Sequence, residues 1–239
     1  MKLFIILAAI AASAYAQEGE TSSWQGSLSA GGLFTSGNTD VSQLDAGLEV
    51  TRLLAGPRFR TDLEVSISFG SQEGVAYREK YLGLLGFTYQ LTENNYATAS
   101  GYWTKDEFTG INREYGASAG LGRRLVHSDV FTASMEAGAG FLSRENTQAE
   151  RLETSTGYTG LEMALLVSDD WKLTEAFRLT VDFQDSDNYS MESVLEASSS
   201  ITGELSLVTG YDVTFHNLPP VEGNEKTDTA LRLQLRLDI

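Results

Sequence analysis

The sequence predicts an all-β fold, an antiparallel transmembrane β-barrel of about twelve strands. Three observations carry this reading. Residues 59–69 alternate without a miss: Phe59, Thr61, Leu63, Val65, Ile67 and Phe69 share one face, and Arg60, Asp62, Glu64, Ser66 and Ser68 the other. Successive side chains of a strand point to opposite sides, so the segment has one apolar and one charged face. The same period recurs along nearly the whole chain, interrupted by turn-forming clusters. Finally, Lys2 precedes an apolar run, Leu3–Ile10, and Ala14-Tyr15-Ala16 supplies a small-x-small cleavage site. That run is well short of the ~20 residues a spanning helix needs. Residues 1–16 therefore read as a cleaved signal peptide, and residues 17–239 as one barrel domain.

The strands follow in order. The first is expected over Trp24–Thr35 and ends at Ser36-Gly37-Asn38-Thr39, a turn-forming cluster. The second covers Val41–Leu53, with Leu44, Ala46, Leu48 and Val50 on its apolar face, and Ala55-Gly56-Pro57-Arg58 turns it back. The third is Phe59–Gly70 and the fourth Tyr77–Tyr89, with Tyr81, Leu85, Phe87 and Tyr89 aligned. The fifth, Asn95–Lys105, leaves its facing open, because Tyr96 and Tyr102 fall on one parity and Ala97, Ala99 and Trp103 on the other. The sixth is Glu114–Arg124 and the seventh Phe131–Ser143, where Phe131, Ala133, Met135 and Phe141 oppose Thr132, Ser134 and Glu136.

The eighth strand is expected over Glu153–Leu166 and the ninth over Trp171–Phe183, with Phe177, Leu179 and Val181 opposite Arg178, Thr180 and Asp182. The tenth is Tyr189–Ile201 and the eleventh Glu204–Phe215. The last sets Leu231, Leu233, Leu235, Leu237 and Ile239 against Arg232, Gln234, Arg236 and Asp238. Connections alternate between a short set (55–58, 90–94, 125–130, 167–170, 202–203) and a mostly longer one (71–76, 106–113, 144–152, 184–188, 216–228). Short periplasmic turns and longer outer loops are the habit of outer-membrane barrels. Trp24, Phe34, Phe59, Phe69, Tyr77, Tyr89, Phe131, Phe141, Phe183 and Phe215 sit near strand ends on the apolar parity, where interfacial girdles belong. Glu79 and Glu175 fall on that parity too, which implies an interfacial position or a local bulge.

Composition narrows function. A net charge of −16 argues against nucleic acid, which requires basic patches. Cysteine is absent, which removes thiolate metal sites and cysteine nucleophiles. No cofactor motif is present: Gly120-Leu121-Gly122 is followed by no helix, and Asp185-Ser186-Asp187-Asn188 lacks the glycine and closing glutamate of a calcium loop.

Several stretches carry a family likeness. They are Leu33-Phe34-Thr35-Ser36-Gly37-Asn38-Thr39-Asp40, Leu91-Thr92-Glu93-Asn94, Lys105-Asp106-Glu107-Phe108-Thr109-Gly110, Ala119-Gly120-Leu121-Gly122-Arg123-Arg124-Leu125 and Glu225-Lys226-Thr227-Asp228-Thr229. In that order the chain resembles the YdiY-like, salt-induced outer membrane proteins, a family built on a domain of unknown function. The resemblance implies a Gram-negative outer-membrane barrel and supplies no reaction, ligand or catalytic set. It also implies a terminal aromatic residue, where this chain has Leu237-Asp238-Ile239.

The barrel lumen is the candidate site. Inward parity is expected for Asp45, Glu49, Arg60, Asp62, Glu64, Arg78, Lys80, Arg178, Asp182, Glu192, Glu196, Asp212, Arg232 and Arg236, joined by Glu136, Glu162, Lys172 and Glu204. Interspersed signs suit a plug of neutralising ion pairs, the reading weighed ahead, and an acid excess suits a restricted, cation-favouring conduit. A lipid-facing hydrolase is a second class. It would need His127, beside Ser128 and Asp129, or His216, for which the sequence names no serine. A surface receptor or adhesin acting through residues 144–152 or 216–228 is a third. The expected protein is a non-enzymatic, monomeric envelope barrel. Its expected partners are outer-membrane lipid, lipopolysaccharide and the barrel-assembly machinery.

Overall fold

The computed structural model describes residues 24–35, 41–54, 58–221 and 223–239. The signal peptide expected over residues 1–16 and the turns expected at Ser36–Thr39 and Ala55–Pro57 lie outside the described residues. The strands are β1 (Trp24–Thr35), β2 (Val41–Leu54), β3 (Phe59–Gln72), β4 (Val75–Gln90), β5 (Asn95–Asp106), β6 (Ile111–His127), β7 (Phe131–Asn146), β8 (Arg151–Ser168), β9 (Trp171–Asp182), β10 (Tyr189–Ser200), β11 (Leu205–His216) and β12 (Thr227–Asp238). Each pairs antiparallel with its sequence neighbours, and β1 pairs with β12, so the sheet closes into a barrel. Closure removes the two free sheet edges that could not survive in lipid.

The closing seam is short. Ser27–Gly31 faces Gln234–Asp238, and Gly26 and Ile239 exchange backbone hydrogen bonds of 2.9 and 2.8 Å. Gly31 lets the strands approach, since a Cβ there would lie 2.3 Å from the Leu233 carbonyl oxygen.

Register fixes which side chains face lipid. Opposed positions such as Leu28 and Leu237, Leu44 and Phe69, Leu63 and Leu85, and Leu161 and Phe177 form one outward surface. Leu231 is 71% exposed and Leu121 65%, figures that make sense for side chains solvated by acyl chains. Outward rings stack across strands near their ends: Phe59 with Phe87 at 6.0 Å, Phe69 edge-on to Tyr81 at 5.6 Å, and Tyr189 with Phe215 at 5.9 Å.

Three expectations need correction. Tyr77 is not an outward girdle residue: a bulge at Gly70/Ser71 turns its ring over Gly70, and its hydroxyl donates to Gln43 Oε1 (3.1 Å). Glu204 does not face the lumen from a strand, because β11 begins at Leu205 and Glu204 belongs to the preceding turn. The longer connections are tighter than read, shrinking to 73–74, 107–110 and 147–150, because the ladders run on past the apolar alternation. The connection 217–226 is the long one at that end, here termed the loop end; the opposite end is the turn end.

Glu79 and Glu175 do lie on the outward parity. Glu79 accepts from Lys105 Nζ (3.3 Å) near the loop end, and Glu175 Oε1 accepts from Ser193 Oγ (2.7 Å) near the turn end. Each outward carboxylate thus has a local donor near an interface.

Candidate functional site

The lumen encloses a cavity of about 1020 Å³. It reaches the turn-end rim at Val126, His127 and Thr132 and extends toward the loop end as far as Asp45, Arg78, Lys80 and Thr104. One wall, from β5 to β8, is built from glycine and tyrosine. The facing of β5 is settled there: Tyr96 pairs with Gly122 and Tyr102 with Gly116, so both rings point inward and Ala97, Ala99 and Trp103 face lipid. A Cβ at Gly122 would sit 2.1 Å from the Tyr96 ring, and one at Gly116 would sit 2.5 Å from the Tyr102 ring. The rings therefore lie flat over bare backbone, which keeps this wall thin. Tyr158 does the same over Gly120 and Gly138.

Ion pairs and hydrogen bonds occupy the wall in discrete groups. Arg232 donates to Asp212 through Nε (2.7 Å) and Nη2 (2.8 Å), and Nη2 also reaches Glu196 Oε1 (3.2 Å). Arg236 Nη2 holds the other Glu196 oxygen (3.2 Å) and lies 3.9 Å from Glu49 across the seam. Asp45 accepts from Ser68, which in turn accepts from Arg78. Lys80 pairs with Asp106 (3.4 Å), and Arg60 with Asp62 (2.8 Å). Glu136 accepts from Thr98 (2.9 Å) and Tyr158, while the Arg178 guanidinium lies 3.9 Å over the Tyr158 ring. Arg124 donates to the Glu93 carbonyl (3.0 Å).

The balance left over is acidic. Every cation lining the cavity, namely Arg60, Arg78, Lys80, Arg124, Arg178, Arg232 and Arg236, is engaged as just described. Glu64, Glu162 and Glu192 also line it, and their carboxylates make no hydrogen bond or ion pair to another described residue. These three sit on β3, β8 and β10, well spread around the wall.

Of the lumen candidates, Asp45, Glu49, Arg60, Glu64, Arg78, Lys80, Arg178, Glu192, Glu196, Asp212, Arg232 and Arg236 line the cavity, with Glu136 and Glu162. Asp62, Asp182 and Lys172 share the inward parity without lining it. Asp62 accepts from Thr51 (2.7 Å) beside Arg60. Asp182 is buried at the loop end, where it accepts from Thr154, Asn188 Nδ2 (3.0 Å) and the Gln184 N–H (2.8 Å). The sequence reading missed the buried pair of Glu114 with Arg144, to which Tyr102 Oη donates (2.8 Å). Arg144 falls in the connection expected over residues 144–152, and the alternation that puts Tyr115 outward is the available signal for Glu114.

Residues 28–238 match the family described as protein of unknown function, DUF481. The chain belongs to this family. Within DUF481 it is similar to the uncharacterized protein YdiY of Escherichia coli (strain K12), at 27% identity over 212 residues, 89% of this chain and 82% of YdiY. The fold resembles an outer membrane channel from Pseudomonas putida F1, with a TM-score of 0.55 and 11% identity over 93% of this chain and 97% of that one. It also resembles the NanC porin, with a TM-score of 0.50 and 8% identity over 90% and 97% of the two chains. These likenesses establish an outer-membrane type of barrel fold for this DUF481 member.

The residues considered for hydrolysis stand apart. His216 is half-buried at the loop end of β11, and its ring makes no hydrogen bond to a serine among the described residues. Near His127, the Ser128 hydroxyl is taken by Phe131, whose N–H it accepts (3.0 Å) and to whose carbonyl it donates (2.9 Å). Asp185 accepts the Asp187 N–H (3.0 Å) in a local turn.

Proposed function

We propose that this DUF481 barrel is a non-enzymatic, monomeric outer-membrane protein that conducts small ions through a narrow, cation-preferring lumen, with its loop end outside the cell. The closed barrel, its apolar outer belt, the placement of its longer loop and the export-type N-terminus support that location. One observation carries the selectivity. Arg124 and Arg178 line the cavity without a carboxylate partner, but they are outnumbered by Glu64, Glu136, Glu162 and Glu192, which form no ion pair among the described residues. A mobile cation is the natural counter-charge for such groups, and an anion meets uncompensated repulsion.

The ion-paired groups argue for a restricted passage and against an empty one. They hug neighbouring strands and line the cavity without filling it, and a barrel of this size lies between side-chain-filled eight-stranded barrels and open porins. The test is the reversal potential of the refolded protein in a planar bilayer under a salt gradient. Cation preference is expected in the wild type, and it should fall several-fold in a Glu64→Gln, Glu162→Gln, Glu192→Gln variant. An unchanged reversal potential in that variant would overturn the assignment.

A further inference from the structure

The connection between β11 and β12 has the strongest claim to a role beyond joining strands. Four strands separate that hairpin from the β5–β6 hairpin whichever way the barrel is followed, so the two stand on opposite walls. Yet they touch. Asn224 Nδ2 donates to the Thr109 carbonyl (3.2 Å), and beside it Asn146 Nδ2, at the end of β7, donates to the Pro220 carbonyl (3.0 Å). A Cβ at Gly110 would lie 2.6 Å from Val221 Cγ2. A segment rooted on β11 and β12 can reach Thr109, Gly110 and Asn146 only by crossing the mouth of the barrel.

Both ends of this crossing are built. At the root, the His216 N–H donates to the Lys226 carbonyl (2.8 Å), extending the hairpin. Asn217 donates from its backbone to the Tyr189 carbonyl (3.0 Å) and from Nδ2 to that of Asp187 (2.8 Å), bracing the root on the neighbouring wall. Pro219 and Pro220 then stiffen the span by fixing φ. The seat is equally ordered. Asn146 is only 5% exposed, and its Oδ1 accepts the N–H groups of Gln148 (3.0 Å) and Glu150 (2.9 Å). Its amide nitrogen divides between Glu150 Oε2 (3.0 Å) and Pro220. A buried asparagine with every group committed is a fixed receptor. Gly110, at φ 91°, leaves the gap that Val221 enters.

We infer that residues 217–221 and 223–226 form a latched strap that closes the outer mouth and must unseat for ions to pass. The inference deepens the conduit reading and rests on it. The cavity agrees with the placement. It is lined down to the turn-end rim, but none of its lining residues belongs to the connections 107–110, 147–150, 183–188 or 217–226. On the far wall it stops below the buried layers of Glu114 with Arg144 and Thr154 with Asp182. The latch is made of neutral hydrogen bonds and an apolar contact, so ionic strength should leave its opening frequency unchanged, while screening the carboxylates that set selectivity.

The test exploits the absence of native cysteine. A Cβ at Gly110 would stand 3.3 Å from Val221 Cβ, close to disulfide spacing. Gly110→Cys with Val221→Cys is the first pair, and Thr109→Cys with Asn224→Cys the second, in case the positive φ at 110 resists a side chain. The full-length protein is exported, and cross-linking is read by mobility after proteolysis between the two positions. Single-channel recordings are then made with and without reductant, beside a variant lacking residues 218–221. A cross-link in at least one pair, conductance suppressed until reductant is added, and prolonged opening in the shortened variant are the expected results. Failure of both pairs to cross-link overturns the strap. Cross-linking with conductance equal in oxidised, reduced and shortened proteins overturns its gating role. Cross-linking with every variant silent leaves the strap seated and overturns the conduit reading.

Discussion

Replacing Arg232 with methionine tests the lumen network and its selectivity together. Arg232 joins β12 to β11 and β10 through three charge-assisted contacts, two to Asp212 at 2.7 and 2.8 Å and one to Glu196 at 3.2 Å. Such contacts are each worth roughly 1.5–3 kcal/mol when well shielded. These are not fully shielded, because the side chains of Arg232, Glu196 and Asp212 are 19%, 18% and 27% exposed to a solvent-accessible cavity. Screening reduces the total, and methionine recovers much of the lost stem packing, so a loss of about 2 kcal/mol is expected. Arg236 keeps Glu196 paired, which leaves Asp212 as the newly unpartnered carboxylate.

The charge change has its own size. One unit of charge acting over ~8 Å in water-like dielectric shifts an ion by about 0.5 kcal/mol. The sign is opposite for cation and anion, so their ratio should move about fivefold toward the cation at low salt. Stability is read by denaturant unfolding in lipid vesicles, and selectivity by reversal potential. A variant as stable as the wild type would show that the network is ornamental. A shift toward anions would refute the acid-biased lumen.

Other substitutions probe the wall and the belt. Gly138→Val should destabilise the barrel by about 1–3 kcal/mol or prevent folding. A Cβ there would meet the Ala119 carbonyl oxygen at 2.3 Å and Gly120 Cα at 2.7 Å, both backbone. Gly83→Ala has nothing within 4 Å and should be neutral or stabilising by up to about 1 kcal/mol. Heat-dependent gel mobility separates the two, and equal behaviour would contradict the register. Glu175→Leu combined with Ser193→Ala removes an outward carboxylate and its donor, and should stabilise the vesicle-embedded barrel by up to about 1 kcal/mol. Destabilisation would mean that this face is not bathed in lipid.

The strands were legible because alternation is local: each pair of neighbouring residues reports its own facing, and lipid enforces one side of the choice. Legibility failed where facing depends on a partner strand. Tyr96 and Tyr102 could not be oriented from β5 alone, since their place inside depends on Gly122 and Gly116 across the ladder. The facing of Tyr77 is not legible in its own strand because a bulge leaves no mark in the alternation. The charged end of β7 reads as loop from its sequence because Arg144 is neutralised inside the barrel by Glu114 of β6, which a hydropathy pattern cannot register. The strap lies further out of reach. Its latches join residues 74 and 115 positions apart through an asparagine amide and backbone carbonyls, groups that any loop contains. Parity could say which charges enter the lumen, but access to those charges depends on contacts across the mouth. The same inward carboxylates would serve an open pore or a closed one, and the seat at Asn146 and Gly110 decides between them.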